Sequence, residues 1–356
     1  MCPYRSRRMA LTNPRTCLRL EFAKGYFPAL EEIASQHGFV LLPYNKISTY
    51  LRHFSAEKKR FNGSMKDHNF EIRGCEKSGE LSIMARMVLL WLEYYSISGQ
   101  EFKGEVQRNR RKKFTRYFME GGYVYPTLDE IKDTINFPSD TNDLYFQNKM
   151  YKAINEIIPV SYRLTDESDK FVPIIDTAGS AIQSGKIKKK NLTQVKLSYA
   201  YRQTLDKLMV YPRYGLYAHN PRQDAIFFYL VSYLSYRFAC NNTILNHLVK
   251  IKVKTLLEHI PVFRTVKDIH DNYNSRYKDL IMTPLFSAIK RLPDGNKTEI
   301  WHDDMLSVLG WDEYPDTKSF LKGHFLFNVS NYCEVIRQMV HDYPAKNREL
   351  RRLYGD

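Results

Sequence analysis

"NDLYFQNKMYKAINEIIPVSYRLTDESDKFVPII", residues 142–175, changes its periodicity halfway along. Leu144, Tyr151, Ile154 and Ile158 are apolar at helical spacing, and Pro159 closes the run because its ring cannot continue a helix. Beyond it, "VSYRL" and "KFVPII" are β-prone runs on either side of the polar "TDES", the pattern of a hairpin. A helix that hands the chain directly to a hairpin is one end of a small α+β unit. The residues upstream decide which unit it is.

Upstream, "SGELSIMARMVLLWLEYYSIS" (78–98) sets Leu81, Met84, Val88, Trp91, Leu92 and Tyr95 on one helical stripe, with Ser78 placed to cap it. "TLDEIKDTI" opens a second, short helix, since Thr127 and Glu130 have the spacing of a reciprocal cap. Three helices followed by a hairpin is the order of a winged helix.

The order recurs downstream. Asn220 caps, Pro221 supplies the fixed φ of a first turn and Gln223 caps in return; the helix they start runs to about Cys240 and is aromatic on several faces, so it should be deeply buried. In "KIKVKTLLEHI", Thr255-Leu256-x-Glu258 repeats Thr127-Leu128-x-Glu130. In "TPLFSAIKRLP", Thr283 caps, Pro284 opens the helix, and Ala288-Ile289 repeat Ala153-Ile154 before Pro293. A Gly295-Asn296 turn leads into "KTEIWHDD", read as strand and wing. Duplication of one supersecondary unit explains the paired signals. The fold class expected is therefore α+β and mostly helical, with two tandem winged-helix domains (helix-turn-helix plus β-hairpin) at 78–178 and 204–310 and a flexible basic linker at 179–203. Residues 1–77 form an N-terminal region of unassigned role, and 311–356 a C-terminal helical extension.

With 356 residues and 43% hydrophobic content, the chain can form two packed domains. Its 54 Lys+Arg against 39 Asp+Glu leave a net charge of +15, a field that attracts polyanions. The longest apolar run, "AIFFYLVSYLSYRFA" (225–239), is too short to span a bilayer and ends near Arg237, so no membrane partner is expected. Cys2, Cys17, Cys75, Cys240 and Cys333 include no C-x-x-C pair, which excludes a zinc ribbon and a disulfide framework and fits a reducing cytoplasm. "RSRR" near the start has no apolar stretch behind it, so no secretory signal is expected.

Enzyme motifs fail on spacing. "GSAIQSGKIKKKN" (179–191) is nearly a phosphate-binding loop, but five residues separate Gly179 from Gly185 and Ile187 stands where a hydroxyl should hold magnesium. His219-x-x-Arg222 matches a tyrosine-recombinase pattern, yet no Tyr lies between Tyr236 and Tyr273, where the nucleophile belongs. His302-Asp303-Asp304 could ligate a metal, but in a polar turn it reads as solvated surface. No catalytic residue, metal or cofactor is expected.

Binding has better support. "QRNRRKKFTRYF" brings Arg108, Arg110, Arg111, Lys112, Lys113 and Arg116 against one nearby acid, Glu105, and the segment from Lys186 to Arg202, with Lys188, Lys189 and Lys190, has six basic residues and no acid. In a helix-turn-helix unit the third helix enters the major groove. The residues placed to do so are Gln147, Asn148, Lys149 and Lys152 in the first half and Arg276, Lys278, Ser287, Lys290 and Arg291 in the second; Lys252 and Lys254 are further expected DNA contacts. Arginines are shaped to grip guanine O6 and N7 together, whereas lysines suit phosphates.

Tandem winged helices on a basic linker resemble the replication initiators of theta-replicating plasmids, which bind repeated origin sequences. The second half adds "TLLEHI", then "RYKDLIMTPLFSAIKRL", then a strand with Trp301, so the resemblance covers about residues 78–305. "PVFRTVKDIHDNYNSRY" departs from it, being longer than a compact turn. The resemblance implies sequence-specific binding of double-stranded DNA at origin repeats, no enzymatic activity, and base reading mainly by the second winged helix. It also implies that the first contacts DNA or a second copy, and that host replication proteins are partners. A winged-helix transcriptional regulator is the alternative, and a DNA recombinase or integrase a more distant one.

Overall fold

The computed structural model describes residues 18–19, 27–53, 61–64, 69–74, 81–98, 117–119, 123–125, 131–133, 135–138, 143–165, 169–175, 182–183, 186–187, 197–205, 207–218, 220–240, 248–260, 262–263, 276–292 and 317–339. Its first half contains β1 (Leu18–Arg19), α1 (Phe27–Gln36), β2 (Phe39–Tyr44), α2 (Lys46–His53), β3 (Phe61–Ser64), β4 (Asn69–Arg73), α3 (Ile83–Ser98), β5 (Tyr117–Met119), β6 (Tyr123–Tyr125), α4 (Asp143–Ile157), β7 (Ser161–Leu164) and β8 (Val172–Pro173). Then come β9 (Ile182–Gln183), β10 (Lys186–Ile187), α5 (Tyr199–Thr204), β11 (Lys207–Pro212), α6 (Ala225–Cys240), β12 (Leu248–Lys252), α7 (Val253–Glu258), α8 (Thr283–Lys290), α9 (Thr317–Lys322), β13 (His324–Asn328) and a last helix, α10, at 330–339.

Two helices organise the core. Every side chain from 84 to 94 of α3 is buried, and in α6 so are Phe227, Phe228, Tyr229, Leu230, Val231, Tyr233 and Leu234. A helix with no polar face must be surrounded. In place of the expected single stripe, α3 is therefore buried all round over 84–94, Arg86 and Glu93 included. Its cap is Ser82, whose Oγ accepts the Ala85 N–H at 3.2 Å, while Ser78 lies outside the described residues. Among the described residues, no helix is long and apolar enough to cross a membrane.

The sheets around these helices join distant parts of the chain. β11 lies between β1 and β2, with Leu41 opposite Val210 and Met209 opposite Leu42. β2 is buried along its whole length, since α1 and α3 pack on it while α6 packs on β11. The hairpin read at 161–173 is present, Tyr162 pairing with Val172, and β4 adds to its other edge with Ile72 opposite Tyr162. Strand pairing thus crosses the positions near 77 and 203 expected to bound the units. Apolar side chains from Leu30 to Met339 form one continuous core. The architecture is α+β, helices with small sheets.

Gly74 marks where β4 passes beneath the end of α4. Its φ is +96°, and a Cβ there would stand 2.0 Å from the Pro159 carbonyl oxygen, so both backbone conformation and space require glycine. α4 itself buries Phe146, Met150, Ala153, Ile154 and Ile157, a stripe turned from the expected one; Leu144 is 55% exposed. The reciprocal cap at Thr127 and Glu130 lies outside the described residues. The linker is not wholly irregular, because Ile182–Gln183 and Lys186–Ile187 pair antiparallel in a tight hairpin against α4.

A buried polar cluster holds α2, α3 and α5 together. Glu93 accepts a hydrogen bond from the Tyr201 hydroxyl at 2.6 Å and faces Arg52 Nε at 3.6 Å, while Arg86 Nη1 donates to the Arg52 carbonyl at 3.0 Å. All four side chains are 0–2% exposed. Burial outweighs the pull of Arg52 and Tyr201 and raises the Glu93 carboxyl above its ordinary value.

In the second half Asn220 caps a turn over 221–224 ahead of α6, which begins at Ala225 and not at Pro221. Asn220 Oδ1 accepts the Arg222 and Gln223 N–H groups, but the return bond to the Asn220 N–H comes from Asp224 Oδ2 at 2.7 Å, not from Gln223. Thr255 does not cap: β12 runs straight into α7, Lys252 is the N-cap, and Thr255 lies inside the helix. Thr283 does not cap either, because a π-helical turn at Lys278–Met282 leads unbroken into α8. The C-terminal extension is more than helical, since β13 pairs with β12 along its length. The second wing, read at 295–304, lies outside the described residues.

Candidate nucleic-acid interface

From Arg276 to Arg291 the chain is one helical rod with a sharp division of faces. Tyr277, Ile281, Met282, Leu285, Phe286, Ala288, Ile289 and Leu292 are buried, and α8 packs on α6. Arg276, Leu280, Thr283, Ser287 and Lys290 are exposed at intervals of three and four residues, so they line one outer stripe; Lys278 is exposed as well. The π turn explains how Pro284 fits within the rod. Proline offers no N–H and its ring crowds the carbonyl one turn back. Just before it the ladder loosens, and the Thr283 N–H donates to the Lys278 carbonyl five residues earlier.

Arg291 does not belong to that stripe as expected. Its Nη2 donates to Asp224 Oδ1 at 2.7 Å, and the guanidinium lies 4.4 Å from the centroid of Phe227. Asp224 is the residue that closes the cap of α6. The arginine placed to read guanine is thus committed to fastening the end of α8 to the start of α6.

On α4, Tyr145 and Lys152 are exposed, and Gln147, Asn148 and Lys149 are half-buried. Lys149 Nζ stands 4.3 Å from the Tyr145 ring centroid, a cation–π contact that steadies both side chains at the surface. The first hairpin gives cations less freedom. Arg73 and Arg163 converge on Glu71, their Nε atoms each 3.0 Å from its carboxylate, and lie over the Phe171 ring at 4.0 and 5.1 Å.

Lys252 falls on a third surface, the outer face of the β12–β13 ribbon, and Lys254 is exposed just beyond it in the first turn of α7. Along β12, Val249 and Ile251 are buried, and Lys250 and Lys252 exposed. His324 is the direct cross-strand partner of Lys252, and Lys322 is exposed just before it. Partial burial, with the charges of Lys250 and Lys252, holds the His324 imidazole below its usual value. Lys250, Lys322 and His324 escaped the sequence reading. The strict alternation of V-K-I-K-V-K over 249–254 was the signal for the first of them.

Arg110, Arg111, Lys112, Lys188, Lys189 and Lys190 lie outside the described residues, as do His219 and His302. Among the described residues no group of three or more His, Cys, Asp or Glu could hold a metal. Comparison of the chain with protein-family models, curated proteins and solved structures finds no match. The chemistry of these surfaces is electrostatic and steric: fixed cations and short hydroxyls on rods seated against a rigid core, suited to phosphates and base edges.

Proposed function

We propose that this chain binds double-stranded DNA sequence-specifically through two winged-helix units and serves, in the cytoplasm, as a replication initiator of the plasmid type, without enzymatic activity. The observation that carries the reading is the Arg276–Lys290 stripe: an amphipathic third helix, pinned on a buried first helix, whose outer face offers Arg, Thr, Ser and Lys side chains. The order α6, β12, α7, α8, α9, β13, with β12 paired to β13, supports a winged helix in the second half. The order α3, β5, β6, a short helical turn at 131–133, α4, β7, β8 supports one in the first. A net charge of +15 favours the polyanion. In this reading the second unit reads bases through Arg276, Ser287 and Lys290, the first holds phosphates through Lys149 and Lys152, and a second copy and host replication proteins are the further partners.

Selection of duplexes from a randomised pool, followed by anisotropy titration at one fixed salt concentration, tests it. The expected outcome is enrichment of one short sequence. Arg276→Ala should then cost about 1–3 kcal/mol on that sequence and much less on a scrambled one. Enrichment of no sequence would sink the reading. Recovery of a lone palindrome, in place of a unit that binds as direct repeats, would favour the regulator.

A further inference from the structure

Lys250 and Lys252 rise from one face of β12, because side chains alternate along a strand and Val249 and Ile251 occupy the other. His324 stands directly across from Lys252 on β13. The charged groups of the neighbouring elements are mostly of the same sign. α7 carries Lys254 and, at its far end, Glu258, and α9 carries Lys322. His259, the C-cap of α7, is occupied by the Tyr233 ring at 4.5 Å, and Glu334 and Arg337 of α10 pair with each other. Three cationic or ionisable groups, two fixed and one neutral near neutral pH, therefore share one small exposed face.

We infer that the outer face of the β12–β13 ribbon grips the phosphate backbone of DNA, Lys250 and Lys252 supplying fixed charge and His324 taking up one proton as the phosphate arrives. The inference rests on the DNA-binding reading above and adds a contact surface and a proton linkage to it. The physical cause is a change of sign in the surroundings of the imidazole. Without DNA, partial burial and two ammonium groups oppose its protonation. With a phosphate oxygen beside them, the added negative charge favours the imidazolium, which can then donate to that oxygen. Two lysines and a histidine read no base, so this surface contributes affinity alike on every sequence.

The test measures binding of the full chain to a duplex of scrambled sequence, over a range of salt and from about pH 8 to about pH 6, where an imidazole titrates. Affinity of the parent should rise as pH falls, by up to about tenfold per pH unit for one linked proton. His324→Gln should keep the parent's salt dependence at the alkaline end and lose most of the rise on acidification. Calorimetry in two buffers of different ionisation enthalpy should show proton uptake that this variant lacks. Lys250→Gln with Lys252→Gln should flatten the log–log salt slope by about two, whereas Lys250→Arg with Lys252→Arg should preserve it. A parent that binds duplex, with ribbon variants that change neither slope nor proton uptake, overturns the ribbon inference alone. A parent that binds no duplex at any salt overturns the DNA-binding reading, and the ribbon inference with it.

Discussion

Lys290 and Arg291 are neighbours in sequence with different tasks. Arg291 leans over Phe227 and bonds to Asp224, whereas Lys290 stays on the outer stripe. Arg291→Ala should therefore lower stability by about 1–2 kcal/mol, a charge-assisted bond at a half-exposed site, and weaken DNA binding only through loosened seating of α8. Lys290→Ala should leave the unfolding free energy within about 0.5 kcal/mol of the parent and reduce duplex affinity directly. Denaturant titration beside duplex titration separates the two. Equal stability for both variants would mean that the Asp224 bond does not hold in solution.

Among the elements, the rod from 276 to 291 gains its shape from Pro284. Returning an N–H with Pro284→Ala removes the reason for the π turn, and the segment before it can rewind to the ordinary ladder. One residue fewer per turn rotates what precedes it by about 100°. Arg276 would leave the face that holds Ser287 and Lys290. The expected result is equal or higher thermal stability with weaker specific binding, and stronger amide-exchange protection at 282–284. Unchanged binding would show that Arg276 and Lys290 need not share a face. Which elements sequence could disclose follows from the range of the forces involved. The hairpin at 161–173 and the cap at Asn220 are local, built from residues within a few positions, and both were legible. β12 carried the period-two alternation of a half-buried strand, but the T-L-L-E that follows imitated a helix cap and drew the whole stretch into the helix reading. Arg291's partner lies 67 residues away, and nothing in local pattern announces it. The pairing of β2 with β11 was equally silent, since a continuous apolar run states that it is buried but not against what.

The molecule as a whole is one body closed by contacts between remote segments. Through β2, β11 and the cluster around Glu93, the two halves should unfold together, and calorimetric and spectroscopic transitions should coincide; separated transitions would contradict the continuous core. Because burial raises the Glu93 carboxyl in the fold, the native state holds that proton more tightly than the unfolded chain, whose ordinary value is 4.5. The stability this provides is complete below that value and is lost as pH rises through the raised one. Relative to Glu93→Gln, the parent should lose denaturant resistance across weakly acidic pH towards neutrality, and a constant difference would refute the assignment. The closure also has a kinetic side. His37 bonds to Gln338 at 2.8 Å, partners 301 residues apart, and Phe39 of β2 meets the ring of Tyr332. On a ribosome adding about 5–20 residues per second, the apolar strand at 39–44 would emerge roughly 15–60 s before the helix that carries Tyr332. During that interval nascent chains on one message carry the same uncovered strand side by side, so the yield of native protein should depend on how crowded the polysome is and on the chaperones that shield it.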